Sequence, residues 1–149
     1  MKLYLLQHGE ALAKEIDPDR PLSDRGRADV TRLAALLETG GLHVARILHS
    51  GKTRARQSAD ILASAIGCEA VSARDGLAPN DPPETLAEAL VAEGEDTILA
   101  GHLPFMARLV DHLLGGQDLV AYRPGSLVAL ERDEAGDWQL SWMLRPELL

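Results

Sequence analysis

The sequence predicts an α/β fold of three layers, in which a mostly parallel central sheet has helices on both faces and a C-terminal hairpin. Short apolar runs of strand length alternate with longer segments whose apolar residues recur at helical spacing. Near the C-terminus, the pattern changes to two strand-like segments, residues 126–131 and 138–144, around a turn at Gly136. A length of 149 residues fits a single domain covering residues 1–149.

The first half of the chain predicts two strand-helix units. Residues 2–6 form an apolar run typical of a strand buried on both faces. Ser23 is a suitable cap for the helix that follows, and Gly40 and Gly41 mark its end. The second unit consists of a strand at residues 45–49 and a helix at about residues 52–66.

The second half predicts two further strands and two helices before the hairpin. A short strand is expected at residues 69–72 and a buried one at residues 97–100. A helix is expected to start at Asp81 as its cap, with Pro82 at its first position, and another to open at Pro104. In the hairpin, Trp138 and Trp142 are four residues apart and are expected on one face of their strand.

Composition limits the functional classes that the chain can serve. A net charge of -8 argues against nucleic acid and anionic membrane surfaces as partners, because both select for basic patches. Cys68 is the only cysteine, so a disulfide framework is excluded and a reducing compartment is expected. The apolar start is too short for a signal peptide, and no run reaches the length of a membrane span. A cytoplasmic protein is therefore expected.

Chemically useful side chains follow three of the predicted strands. His8 follows the first strand, Arg54 lies shortly after the second, and His102 follows the strand at residues 97–100. Because the carboxyl ends of parallel strands meet at one rim of a sheet, these three groups are expected to converge there. An imidazole can accept a phosphoryl group, and fixed donors can stabilise its oxygens. Gly9 would let the backbone turn and approach the phosphate.

Simpler interpretations compete with this one. A single histidine after a strand is more often a surface residue or a hydrogen-bonded one, and Arg54 alone could be a solvated helix residue. The segment Gly51-Lys52-Thr53 resembles the end of a P-loop, but Arg46 stands where that motif needs its first glycine. Cys68 is expected to be a packing residue, and His8 with Glu10 has too few neighbouring ligands for a metal. We therefore expect no metal and no cofactor.

Four segments in order resemble the motifs of the histidine phosphatase superfamily, in its short SixA-like branch. They are Leu6-Gln7-His8-Gly9-Glu10-Ala11, Arg20-Pro21-Leu22-Ser23 with Gly26, Ser50-Gly51-Lys52-Thr53-Arg54-Ala55 with Gln57-Ser58-Ala59, and Gly101-His102-Leu103-Pro104. The resemblance implies that His8 is the nucleophile, that Arg54 and His102 clamp the phosphate, and that Arg20 reaches the pocket. It also implies a phosphatase acting on phosphohistidine in signalling phosphoproteins.

One residue departs from the motif at the centre of the site. The family places arginine directly before the nucleophile, and this chain has Gln7. A glutamine amide can donate a hydrogen bond to phosphate but has no charge, so phosphate binding should be weaker. Lys52 could partly substitute for the missing charge. A smaller departure is Gly51, where proline is usual in the family.

The proton donor is left open by the sequence. Glu10, Asp81 and Glu84 are candidates, although helix capping explains the last two equally well. An imidazole leaves more easily than an alkoxide, so the lack of an obvious acid favours phosphohistidine as substrate. The alternatives are a phosphomonoesterase for small molecules and a phosphohistidine-binding module whose catalysis is weakened by Gln7. In each case the partner is a phosphorylated protein or small molecule, and the oligomeric state is not predicted.

Overall fold

The computed structural model describes residues 1–149 and contains six strands, four α-helices and one short 3-10 helix. In chain order they are β1 (Lys2–Gln7), α1 (Asp24–Thr39), β2 (Arg46–His49), α2 (Thr53–Ile66), β3 (Val71–Ala73), α3 (Pro83–Glu93), β4 (Thr97–Gly101), α4 (Phe105–Leu114), β5 (Leu127–Arg132), β6 (Trp138–Leu144) and the 3-10 helix (Pro146–Leu148). All the predicted strands and helices are present in the predicted order, and most of their observed bounds agree with the predicted ones within about two residues.

The six strands form one sheet in the order β3-β2-β4-β1-β5-β6. Strands β1 to β4 pair in parallel, whereas β5 is antiparallel to β1 and β6 is antiparallel to β5. The predicted α/β class and the C-terminal hairpin are confirmed. The hairpin extends the sheet beyond β1, so β1 has a hydrogen-bonded neighbour on each side.

Two apolar clusters lie on opposite faces of the sheet. Leu3 and Leu5 of β1 pack with residues of α3 and α4, whereas Tyr4 and Leu6 pack with residues of α1 and α2. Successive strand residues point to opposite faces, and here both faces are covered by helices. This double coverage explains why β1 is a continuous apolar run, and it fixes the end of β1 at the centre of the molecule.

Two helix starts test the capping predictions. Ser23 is the N-cap of α1, and its hydroxyl accepts a hydrogen bond from the Gly26 N–H at 3.0 Å, as predicted. The prediction for α3 is wrong by one residue, since Pro82 is the N-cap and the helix begins at Pro83. The Asp81 carboxylate instead accepts from the Ala78 N–H at 2.9 Å, so it closes the preceding turn.

The prediction that both tryptophans share one face is also wrong. Trp142 packs against the cluster that includes Tyr4, at a ring-centroid distance of 5.8 Å, whereas Trp138 packs against the opposite cluster. The register between β5 and β6 shifts at Ala129 and Leu130, which pair with Trp142 and Leu140. One extra residue in β6 reverses the alternation of faces beyond it.

No helix in the structure is both long and apolar enough to cross a bilayer.

Candidate active site

The three predicted residues converge at the carboxyl ends of the central strands. His8 follows β1, His102 follows β4, and Arg54 lies in the first turn of α2 after β2. The His8 and His102 rings are 5.0 Å apart between centroids, and Arg54 Nε lies 3.3 Å from His8 Nε2. The sheet order explains this meeting, because β1 and β2 both pair in parallel with β4.

The hydrogen bonds of His8 determine which ring nitrogen is free to react. Its Nδ1 lies 2.7 Å from the Gly9 carbonyl oxygen, which can only accept, so Nδ1 carries the proton. Nε2 then has a lone pair, and the Arg54 Nε–H donates toward it. His8 is therefore held in the tautomer that leaves Nε2 nucleophilic.

Burial keeps both histidines uncharged. Removal from water lowers the pKa of His8 to about 4; the hydrogen bond to the Gly9 carbonyl opposes this, and the nearby Arg54 and Arg20 charges add to it. Burial also lowers the pKa of His102 to about 3, with further contributions from His8, Arg54, Lys52 and Arg20. A neutral His8 is the form that can attack phosphorus at neutral pH.

We expect His8 to titrate with a midpoint near pH 4, well below the usual 6.5. Above that midpoint Nε2 is unprotonated, and below it protonation removes the lone pair, so any activity that uses Nε2 as nucleophile should fall on the acid side only near pH 4. Nitrogen-15 chemical shifts of the His8 ring between pH 8 and pH 3 measure the midpoint directly. A midpoint at or above 6.5, in a protein that circular dichroism shows to be folded, would contradict this expectation.

Positive charges surround the two rings. Burial lowers the pKa of Arg54, and the nearby positive charge of Arg20 lowers it further. Arg20 has a left-handed backbone with φ 48°, and its Nε–H donates to the Leu12 carbonyl at 3.0 Å, which holds the side chain in place. Lys52 is exposed at the N-cap of α2, near enough to influence the pKa of His102. The surroundings of the two histidines are thus locally cationic although the whole chain is acidic.

Gln7 lies directly before His8 and is 8% exposed. Its backbone N–H donates to the Ser126 carbonyl, and its carbonyl accepts from the Gly125 N–H. The side-chain Oε1 is buried without any hydrogen-bond partner in the protein. The amide oxygen is therefore an unpaired buried acceptor, and the side chain brings no charge to the site.

Gly9 is required for packing rather than for a turn. Its φ is not in the left-handed region. A Cβ at Gly9 would lie 2.8 Å from Val30 Cγ2 and 2.9 Å from the Gly26 carbonyl oxygen, and a Cβ at Gly26 would collide with the Glu10 backbone. The two glycines let the loop after β1 lie directly on α1. The expectation of a sharp glycine turn is therefore corrected to a close backbone contact.

Several residues that position the site had no role assigned from the sequence. The Ser58 hydroxyl accepts from the Gly9 N–H at 3.0 Å and donates to the Arg54 carbonyl at 2.8 Å. The Gln57 Oε1 accepts from the Leu22 N–H at 2.8 Å. Both lie on α2, three and four residues after Arg54, and therefore on the same helix face. That spacing, within the recognised motif, was the signal that could have identified them.

The three candidate acids make their contacts with residues other than the two histidines. The Glu10 carboxylate lies 3.9 Å from Arg25, and its side chain is 49% exposed. Asp81 closes its own turn, and Glu84 is exposed in the first turn of α3. None of the three makes a hydrogen bond or ion pair with His8, Arg54 or His102.

Gly51 stands where the family motif usually has proline. Its φ is 91°, a conformation that proline cannot adopt.

Comparison with known proteins assigns the family. The model of the histidine phosphatase superfamily (branch 1) matches residues 3–79, which is more than half of the chain. The chain belongs to the histidine phosphatase superfamily. An uncharacterized protein of the cyanobacterium Picosynechococcus sp. is 33% identical over 124 residues, covering 78% of this chain and 75% of the relative.

Solved structures with the same fold cover nearly the whole chain. The protein histidine phosphatase SixA complexed with tungstate has a TM-score of 0.89 at 22% identity, with 99% of each chain covered. A provisionally assigned phosphohistidine phosphatase SixA from Agrobacterium tumefaciens has a TM-score of 0.82 at 26% identity, with 97% of each covered. A phosphoserine phosphatase mutant from Entamoeba histolytica has a TM-score of 0.76 at 13% identity, covering 99% and 98%.

Proposed function

We propose that this superfamily member is a metal-independent phosphatase that hydrolyses phosphohistidine in phosphorylated proteins. The observation that carries the proposal is the tautomer of His8, whose Nε2 lone pair lies 3.3 Å from Arg54 Nε and beside the His102 ring. A neutral nucleophile and fixed cations are what phosphoryl transfer requires from a protein. The likeness to the SixA structures supports the choice of substrate class.

In the first step, His8 Nε2 attacks the phosphorus atom of the substrate. The new Nε2–P bond forms as the P–N bond to the substrate imidazole breaks. If that imidazole is protonated at its other nitrogen, it departs as a neutral molecule and needs no acid from the enzyme. Arg54 and Arg20 stabilise the charge on the phosphoryl oxygens. This chemistry fits the candidate acids, which make no contact with the histidine pair.

In the second step, water attacks the phosphorus of the phosphorylated His8. The Nε2–P bond breaks, inorganic phosphate forms, and one proton of the water passes to solvent. The Nδ1–H stays on His8 throughout and donates to the Gly9 carbonyl. The ring therefore leaves the phosphorus as a neutral imidazole, ready for the next cycle.

The surroundings of the site favour a phosphoryl group attached to a protein. The connection between β3 and α3 is short, covering residues 74–82, and no inserted cap domain follows it. Leu103 is exposed directly beside His102 and offers apolar surface next to the reacting group. A phosphorylated signalling protein is therefore the proposed partner. A cytoplasmic location, expected from the lone Cys68, remains part of the proposal.

We expect kcat/KM for a phosphohistidine peptide to exceed that for phosphoserine or a sugar phosphate by about 100-fold, which corresponds to roughly 2.7 kcal/mol in the barrier. The reason is the leaving group, because an alkoxide needs an acid that the contacts of the site do not supply. Release of inorganic phosphate over time measures all three substrates, with spontaneous hydrolysis subtracted. Equal or faster turnover of the esters would favour a small-molecule phosphomonoesterase instead. Orthovanadate binding without turnover of any substrate would favour a phosphohistidine-binding module.

A further inference from the structure

A serine that lies outside the catalytic set contacts His102 directly. Ser50 follows β2, and its Oγ lies 2.6 Å from His102 Nε2. The same oxygen accepts a hydrogen bond from the Lys52 backbone N–H at 3.3 Å. His102 is 2% exposed, and its Nδ1 is buried without a hydrogen-bond partner in the protein. The hydroxyl is thus the one protein group that hydrogen-bonds to this ring.

The direction of this hydrogen bond follows from the available partners. The hydroxyl has one proton to donate, and His102 Nε2 is the acceptor within hydrogen-bond distance of it. If the hydroxyl donates, Nε2 accepts and the proton of the neutral ring must lie on Nδ1. In the opposite arrangement, the hydroxyl proton would have no protein acceptor and Nδ1 would be a buried lone pair facing no donor. The first arrangement leaves fewer polar groups unsatisfied.

The two arrangements also differ in their effect on an anion. Because Nε2 is hydrogen-bonded to Ser50, Nδ1 is the nitrogen of His102 that has no partner in the protein. A proton on Nδ1 makes it a hydrogen-bond donor to a phosphoryl oxygen, whereas a lone pair there would repel that oxygen. Burial keeps the ring neutral near pH 7, so its tautomer decides whether His102 attracts or repels the substrate.

We infer that Ser50 is a positioning residue that holds His102 in the Nδ1–H tautomer and thereby makes it a neutral donor to the phosphoryl group. The inference rests on the proposed phosphatase function only for the identity of the bound anion. It predicts a particular protonation state in the free protein, and that state can be measured without any substrate.

The decisive measurement is the pair of nitrogen-15 chemical shifts of the His102 ring in the unmodified protein at pH 7. A protonated Nδ1 and an unprotonated Nε2 are expected. A protonated Nε2 would overturn the inference even if the protein hydrolyses phosphohistidine. Conversely, the expected tautomer in a protein that hydrolyses only phosphoesters would leave the inference intact and reject the proposed substrate.

The variant Ser50→Ala should release the ring to a mixture of tautomers and weaken orthovanadate binding about tenfold, the usual effect of one hydrogen bond. Ser50→Thr keeps the hydroxyl and should restore both the shifts and the affinity. Ser64→Ala, which removes an exposed hydroxyl from α2, is the matched control and should change neither. A Ser50→Ala protein that is folded by circular dichroism, keeps the Nδ1–H shifts and binds vanadate normally would contradict the role given to Ser50.

Discussion

Replacing His8 with alanine should lower turnover of a phosphohistidine peptide by on the order of 10⁴-fold or more, since removal of a nucleophile leaves only the binding and electrostatic contributions. The loss should appear in kcat, because Arg54, Arg20 and His102 would still bind the anion. The alanine variant should therefore retain affinity for orthovanadate within about tenfold, reflecting the loss of one contact. Phosphate-release assays and equilibrium binding measure the two quantities separately.

The control for this variant is a histidine far from the site. His43 is exposed in the connection between α1 and β2, and His43→Ala should be fully active. Rapid quenching of the unmodified protein should also trap phosphate on His8 in a form that is stable to alkali and labile to acid. Turnover retained by His8→Ala, or labelled phosphate on another residue, would reject His8 as the nucleophile.

Replacing Gln7 with arginine should raise kcat/KM by about tenfold. Arginine adds a full positive charge and a forked donor opposite the phosphoryl anion, and a gain of about 1.4 kcal/mol corresponds to this factor. Gln7 is the last residue of β1 and directly precedes His8, and its side-chain Oε1 has no hydrogen-bond partner in the protein. The gain should appear mainly as a lower KM, because the added charge contacts the phosphoryl group before and during reaction.

Gln7→Met is the matched control for charge at this position. It keeps a similar volume but has no donor, so kcat/KM should fall below that of the unmodified chain. The order arginine, glutamine, methionine is expected for orthovanadate affinity as well. If Gln7→Arg folds normally but shows no gain in either measurement, the absence of a charge at position 7 does not limit the site, and Arg20 with Lys52 supplies enough.

Much of the fold could be predicted because local patterns and tertiary structure agree. The apolar run of β1, the Ser23 cap and the glycines after the helices each specify their element from neighbouring residues alone. The bulge in β6 could not be predicted, because it depends on pairing with β5 and reverses the faces of Trp138 and Trp142. The position of β5 beside β1 is likewise set by contacts between residues more than 100 positions apart.

The positions of the proposed catalytic side chains were easier to predict than the groups that hold them. His8, Arg54 and His102 each follow a strand, and the rule that strand ends converge was sufficient to place them together. The roles of Ser58 and Ser50 depend on individual hydrogen bonds across elements, which spacing alone does not specify. The reason for Gly9 also required the structure, since a turn and a close backbone contact both call for glycine.

The antiparallel pairing of β5 with β1 has a consequence for shortened forms of the chain. All the proposed catalytic residues lie before residue 103, yet a fragment ending there would leave β1 as an exposed edge strand. Its free N–H and C=O groups would be open to pairing with a second fragment, and the apolar run would favour aggregation. The fragment would also lack the Gly125 N–H, which donates to the Gln7 and His8 carbonyls and holds the backbone at His8. The C-terminal hairpin thus contributes no reacting atom but keeps the strand that leads to His8 from being an edge.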